Sequence, residues 1–220
     1  MKFSPAALLL YGIPSATYQT ADALLQDVRA AVAGGVTCIQ IRIKHVPTQE
    51  LVALAAPTVQ FCKQQHIPCI INDDAEAAAL LQADGVHVGQ SDCSIQQARA
   101  ILGKSACIGV SAHNLEEARM AQQGGADYIG CGPFRFTTTK KNLSPILGLD
   151  GYRNIVATMK QEHIELPIVA IGGITCDDIP AIMQTGVSGI ALSGTILRAD
   201  SPAEETHRIL EEIRKYRTYK

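Results

Sequence analysis

Short apolar runs rich in β-branched residues recur along the chain, and each is followed by a longer stretch whose apolar positions fall at helical spacing. The runs are LLLYGI (8–13), VTCIQIR (36–42), PCIIN (68–72), GVHVG (85–89), CIGVS (107–111), YIGCG (128–132), PIVAIG (167–172) and GIALS (189–193). Helical spacing covers 22–34, 48–65, 74–82, 94–102, 114–123, 149–160 and 177–185, with a last helix over 203–216. This alternation predicts parallel strands under an outer layer of helices. A loose internal echo agrees: Gly34-Gly35-Val36, Ala83-Asp84-Gly85-Val86, Gly125-Ala126-Asp127-Tyr128 and Gly186-Val187-Ser188-Gly189 each end a helix and enter a strand. Glycine stops a helix there because it tolerates a positive φ. Eight such units in 220 residues fit a single (β/α)8 TIM barrel over residues 1–220. The rival, a doubly wound open sheet, usually carries a Gly-x-Gly-x-x-Gly turn after its first strand, and this chain has none.

Composition narrows the class. Hydrophobic residues make up 47% and charged residues 18%, with a formal charge of −2, which excludes a largely disordered chain. Nothing marks a nucleic-acid or anionic-membrane surface. The apolar runs fall short of the roughly 20 residues a membrane helix needs. The seven cysteines show no C-x-x-C spacing and sit mostly inside apolar segments, which argues against a disulfide framework and structural zinc. Lys2 before the apolar run Ala6–Leu10 has the outline of a weak signal peptide. That run is short, Pro5 interrupts it, and the barrel needs it as a strand, so a reducing, cytoplasmic setting is expected.

In such a barrel the chemistry sits at the C-terminal ends of the strands. On strand two, Gln40, Arg42 and Lys44 share one face, and Ile39, Ile41 and Ile43 share the other. The isoleucines should pack under helices, and the polar face should point into the barrel. There it would meet an anion or pair with barrel carboxylates, since unpaired buried charge is costly. Strand three ends Asn72-Asp73-Asp74, and strand four leads to Gly89-Gln90-Ser91-Asp92. Carboxylates past the ends of neighbouring strands, about 4.8 Å apart, can reach one ion. Asp73 and Asp92 are expected to bind Mg²⁺, a hard cation shared with a substrate phosphate. Asp74 is expected to cap the next helix. His87, between valines, reads as a core residue or one lying behind the site.

Ser111 can hydrogen-bond an anion, and Asn114 looks like a helix cap. His113 is either a proton carrier or a polar loop residue, and nothing in sequence places an acid behind it to make a triad. After strand six, a long non-helical stretch from Gly132 to Gly148 carries Thr137, Thr138, Thr139, Lys140 and Lys141, hydroxyls and charges that suit a phosphate. Gly172-Gly173 and Ser193-Gly194 stand at the last two strand ends, where backbone amides often receive a phosphate.

Together these pieces resemble the thiamine-phosphate synthase family over about residues 36–195. The resemblance is carried by Gln40-x-Arg42-x-Lys44, Ile71-Asn72-Asp73, Ala83-Asp84-Gly85-Val86-His87-x-Gly89-Gln90-x-Asp92, Gly109-Val110-Ser111, Gly125-Ala126-Asp127-Tyr128-Ile129-Gly130-x-Gly132-Pro133, Thr137-x-Thr139-Lys140-Lys141 and Ala170-Ile171-Gly172-Gly173-Ile174-Thr175. It implies a (β/α)8 barrel that joins a hydroxymethylpyrimidine diphosphate to a hydroxyethylthiazole phosphate, releasing diphosphate with Mg²⁺ as cofactor. By position, Gln40, Arg42, Lys44 and Asn72 would hold the pyrimidine diphosphate, and Asp73 and Asp92 the metal. Ser111 and Lys140 would reach the diphosphate. Thr137, Thr139, Gly173 and Ser193-Gly194 would line the thiazole phosphate side. Arg42, Lys44, Lys140 and Ser111 would carry the catalytic load.

The chain departs from the family at four places. Ile43 replaces a Glu, Phe134-Arg135-Phe136 lacks the usual Pro, strand one ends Gly12-Ile13-Pro14-Ser15, and Ser193 stands one position early. Two alternatives follow the same resemblance: a sister group that isomerises a thiazole carboxylate phosphate, with His113 as proton carrier, and a non-catalytic barrel binding thiamine intermediates. The expected partners are small-molecule substrates, with no nucleic acid and no membrane, and a homo-oligomer is left open.

Overall fold

The computed structural model describes residues 4–14, 18–136 and 145–216. Its elements are β1 (Leu10–Gly12), α1 (Ala21–Ala33), β2 (Cys38–Ile41), α2 (Thr48–Gln64), β3 (Cys69–Asn72), α3 (Ala75–Leu80), β4 (Gly85–Val88), α4 (Ile95–Leu102), β5 (Cys107–Ala112), α5 (Leu115–Gly124), β6 (Tyr128–Cys131), α6 (Gly148–Gln161), β7 (Ile168–Ile171), α7 (Ile179–Met183), β8 (Gly189–Leu192), α8 (Gly194–Leu197) and α9 (Pro202–Lys215). The strands pair in parallel in chain order, and β8 returns to β1 to close the barrel.

The echo read from sequence has a physical role at the closed end of the barrel. Thr37, Asp84, Asp127 and Ser188 each stand just before an even-numbered strand and accept an N–H from the start of the strand before it. Leu10 N donates to Thr37 Oγ1 at 2.8 Å, Cys69 N to Asp84 Oδ2 at 2.8 Å, Ile108 N to Asp127 Oδ2 at 2.7 Å, and Ile168 N to Ser188 Oγ at 3.2 Å. Each clamp satisfies a backbone donor that would otherwise lack a partner. The preceding helices close on positive-φ residues, Gly35, Gly125 and Gly186, but the second unit closes on Gln82 at φ 50 instead of a glycine.

The apolar residues divide into two bodies. Outward-facing Ile39, Ile41, Ile71, Val86, Ile108, Ile129 and Ile190 pack with the helices in a large aliphatic core. Inside the barrel a smaller cluster holds Leu8, Tyr11, Cys38, Ile70, Cys107, Tyr128 and Val169. Two expected helices are shorter than their spacing suggested. α3 has 6 residues. α7 has 5, with Pro180 in its first turn, and a 3-10 turn at Cys176–Asp178 precedes it. The short α8 after β8 was not expected, because its 4 residues are too few to display a period.

Candidate active site

A cavity of about 690 Å³ opens at the C-terminal ends of the strands. Its wall brings together Gln40, Arg42, Lys44, Asn72, Asp73, Asp92, Ser111, Gly172, Gly173, Ser193 and Gly194, as the sequence reading placed them. Thr137, Thr139 and Lys140 lie outside the described residues. A smaller cavity of about 330 Å³ lies outside the barrel, between the start of α7 and α9, and no strand end lines it.

Strand alternation carries Gln40 and Arg42 inward from β2 while Ile43 is buried in the outer core. Arg42 is half-buried, and among the described residues its side chain makes no ion pair or hydrogen bond. Burial pushes its guanidinium down from the ordinary value, and the nearby charge of Asp73 opposes that. On β3 next door, Asn72 is buried, and its Nδ2 has no hydrogen-bond partner among the described residues. An unpartnered buried amide costs on the order of 1–3 kcal/mol, a cost that an acceptor on a bound ligand would remove. These two groups put unused donors on one wall of the cavity.

Lys44 follows the other course weighed for strand two, since its Nζ forms an ion pair with Asp73. Asp73 sits at φ 67, a left-handed backbone that a non-glycine residue adopts at some cost. Its N–H donates to His87 O at 2.7 Å, which fixes the turn out of β3. Asp92 Oδ2 accepts from Gly89 N at 2.7 Å. Burial pushes the Asp92 carboxyl up; the Gly89 N–H pulls it down, and the facing Asp73 carboxylate pushes it up again. Two facing carboxylates with one lysine beside them suit a hard cation. Among the described residues no third His, Cys, Asp or Glu joins them, so water or ligand oxygens would complete its shell, as Mg²⁺ prefers. Asp74 caps α3 as expected, accepting from Ala77 N at 2.8 Å.

The floor of the cavity is a line of polar side chains that the sequence did not announce. Gln40 Nε2 donates to Tyr11 OH at 3.1 Å, and Tyr11 OH meets Tyr128 OH at 2.8 Å. Tyr128 OH lies 3.0 Å from His87 Nδ1, and His87 Nε2 lies 3.1 Å from Ser111 Oγ. Burial pushes both phenols well above their ordinary pKa, so they stay neutral. Neighbouring glycines make the space. A Cβ on Gly109 would stand 2.1 Å from the Tyr128 ring, and one on Gly130 would stand 2.9 Å from His87 Cε1. His87 therefore lies behind Ser111, one of the two positions expected for it.

His113 also lines the cavity, and here the structure corrects the sequence reading. An acid does stand behind it, because Glu117 Oε2 lies 2.7 Å from His113 Nδ1 and accepts from His113 N at 2.8 Å. The four-residue spacing, with Glu117 in the first turn of α5 after the Asn114 cap, was the signal available for it. Ser111 bonds instead to His87 on another strand.

Opposite the charged wall, Gly172 (φ 101) and Gly173 (φ 69) have backbones that side chains rarely adopt. A Cβ on Gly172 would meet Pro133 at 2.8 Å, and one on Gly173 would meet Arg135 Cγ at 2.5 Å. Arg135 in turn holds the start of α7, with two bonds of 2.7 Å to Asp178 and one of 3.1 Å to Gly173 O. Arg198, missed in the sequence reading, lines this side with its guanidinium against Gly194.

A family model described as thiamine monophosphate synthase matches residues 10–196. A thiamine-phosphate synthase of Phocaeicola vulgatus is 53% identical over 184 residues, covering 84% of this chain and 88% of that protein. One from Bacteroides fragilis is 50% identical over 195 residues, covering 88% and 96%. Among solved structures, a thiamine phosphate pyrophosphorylase from Pyrococcus furiosus superposes with a TM-score of 0.84 at 32% identity, covering 96% of this chain and 98% of that one.

Proposed function

This chain belongs to the thiamine monophosphate synthase family of transferases, and we propose that its barrel mouth joins hydroxymethylpyrimidine diphosphate to hydroxyethylthiazole phosphate, giving thiamine phosphate and diphosphate. The observation that carries the residue assignment is the buried Asn72 Nδ2 and the half-buried Arg42 guanidinium, both lining the cavity and both without a hydrogen-bond partner among the described residues, donors that a diphosphate would satisfy. The sister isomerase is not favoured, since the family model and these relatives are all named as synthases.

Diphosphate leaves from a carbon attached to an electron-rich aminopyrimidine, so positive charge can develop on that ring. The protein's task is to stabilise the departing group and hold the thiazole nitrogen in line behind the carbon. Arg42 and Lys44 neutralise the diphosphate, and Ser111 donates to it. Gln40 and Asn72 orient the pyrimidine end. Lys140, Thr137 and Thr139 are assigned by sequence position to the diphosphate and thiazole sides. Gly172, Gly173, Ser193 and Gly194 admit the second phosphate to backbone amides. Asp73 and Asp92 would hold Mg²⁺, which when bound draws off charge on the leaving diphosphate. No protein nucleophile is needed. One barrel domain spanning the chain carries the reaction, and seven free thiols support a reducing, cytoplasmic setting.

The test is incubation with both substrates and Mg²⁺, following thiamine phosphate and diphosphate, with EDTA as control. Product that EDTA abolishes is expected; a folded protein that returns both substrates intact would sink the reading. Asp92→Ala should abolish turnover while leaving thiazole phosphate binding nearly unchanged, and equal loss of both would count against the metal assignment.

A further inference from the structure

Charge is unevenly spread around the cavity. Among the described residues, the carboxylates on its wall are Asp73 and Asp92, beyond β3 and β4, and Lys44 is paired with Asp73. The side formed by the loops after β7 and β8 has no carboxylate on its wall among the described residues, and one cation, Arg198. The other arginine nearby, Arg135, is committed to Asp178 and to Gly173 O. Arg198 makes no side-chain ion pair or hydrogen bond among the described residues. The local sequence explains where it lies. Arg198 follows α8 directly, and its N–H donates to Gly194 O at 3.1 Å, so the two residues stand one turn apart on the same face. Helical side chains lean toward the N-terminal end, which carries the arginine back over residue 194. A Cβ there would stand 2.8 Å from Arg198 Nε and Nη2, so only glycine leaves the path open. The guanidinium therefore rests against bare backbone at the cavity that Ser193 and Gly194 also line. Thr195 Oγ1 donates to Ile174 O at 2.8 Å, tying the loop after β8 to the loop after β7.

We propose that Arg198 is a specificity-determining residue, the side-chain cation that binds the phosphate of the thiazole substrate. The inference rests on the synthase reading above. A phosphate monoester carries about −1.5 to −2 charges near neutral pH, and the backbone amides of the glycine turns supply dipoles without net charge. A guanidinium adds that charge together with donors in a fixed fork that matches phosphate oxygens. The arrangement also gives each anion its own cation. Arg42 and Lys44 at the end of β2 serve the diphosphate, and Arg198 serves the monophosphate beyond β8, with β1 between those two strands. Separate cations favour one orientation of the pair, with the thiazole and the leaving group on different sides of the reacting carbon. Like-charged groups are thereby held apart without a carboxylate or a further lysine on the monophosphate side.

The experiment is steady-state kinetics on the full chain with each substrate varied in turn, joined to calorimetric titration with thiazole phosphate. Arg198 is exposed at the rim, so the effect lies at the lower end of what a hydrogen bond to a charged group contributes. Arg198→Gln should raise KM for thiazole phosphate about tenfold, weaken its Kd by the same factor, and leave KM for the pyrimidine diphosphate within about twofold. The unphosphorylated hydroxyethylthiazole has no phosphate to lose contact with and should bind wild type and variant alike. Arg198→Lys keeps the charge but loses the fork, and should recover part of the loss. An unchanged KM for thiazole phosphate, a rise in KM for both substrates, or equal losses on the phosphorylated and free thiazoles would overturn the inference. A rise confined to the pyrimidine diphosphate would also overturn it and move Arg198 to the leaving group. A wild type that binds thiazole phosphate through Arg198 yet makes no product would overturn the synthase reading and leave Arg198 standing. Turnover that Arg198→Gln does not alter would do the reverse.

Discussion

The two faces of the same strands are built on opposite principles. Outward from β2 to β6, Ile39, Ile41, Ile71, Val86, Ile108 and Ile129 are buried and aliphatic, and each makes many weak contacts with the helices. Inward from the same strands stand Gln40, Asn72, His87, Ser111 and Tyr128, with Gly109 and Gly130 between them. The outer face is redundant: losing a methylene lowers stability but leaves every remaining group content. The inner face is specific, because a polar group in a low-dielectric interior is costly unless each partner is in place. One face holds the barrel closed, and the other decides what the barrel can do.

That contrast can be broken most sharply on the inner face. Arg42→Ala should lower kcat/KM by about 10²–10³, the scale of losing one preorganised transition-state contact. Its melting temperature should hold or rise, since an unpaired half-buried charge is removed. A large fall in melting temperature with little kinetic change would place Arg42 in the scaffold. The converse test is Ile129→Ala, fully buried on the outer face. It should lose about 2–5 kcal/mol in urea unfolding with KM for both substrates unchanged. Gly109→Ala probes the boundary between the faces. Its Cβ has no room beside the Tyr128 ring, so a loss of about 1–3 kcal/mol from overpacking is expected, together with a fall in kcat as the ring is displaced.

The smallest effect lies at the rim. Burial pushes the Asp178 carboxyl up, but the Arg135 guanidinium and the N–H and hydroxyl of Thr175 outweigh it, leaving the folded value below the ordinary one. A carboxyl lowered on folding adds stability that is full above its unfolded pKa of about 4 and is lost as pH falls through the lower folded value. Asp178→Asn should therefore flatten the acid limb of the stability curve by under about 1 kcal/mol, as expected for a partly exposed pair. An unchanged acid limb would show that the Arg135 contact contributes nothing measurable.

Much of the site was legible because barrels place their chemistry at known points along each run. Once β2 was recognised, parity alone put Gln40 and Arg42 inside and Ile43 outside. The glycine pair after β7 and the aspartates after β3 and β4 followed from the same rule. Asp84 and Asp127 were visible in the echo, although their clamps on Cys69 N and Ile108 N were not. Tyr11 and Tyr128 were hidden because each sits in an apolar run, where an aromatic ring reads as core, and for the same reason His87 was left between the core and a place behind the site. Their bonds cross between strands separated by 41 and 117 positions in sequence. Arg198 was hidden for another reason, since it follows a helix only one turn long.

The sequence by itself determined the order of strands and helices, the inward and outward sets on each strand, and the ends where charge and glycine collect. Those depend on local periodicity and on the backbone freedom of single residues, which a linear chain displays directly. Only the closed barrel decided that Lys44 pairs with Asp73 while Arg42 makes no ion pair among the described residues, that Glu117 stands behind His113, and that a polar line runs from Gln40 to Ser111. Such pairings depend on which side chains meet after eight strands tilt and close on one another, and that distance is not written along the chain.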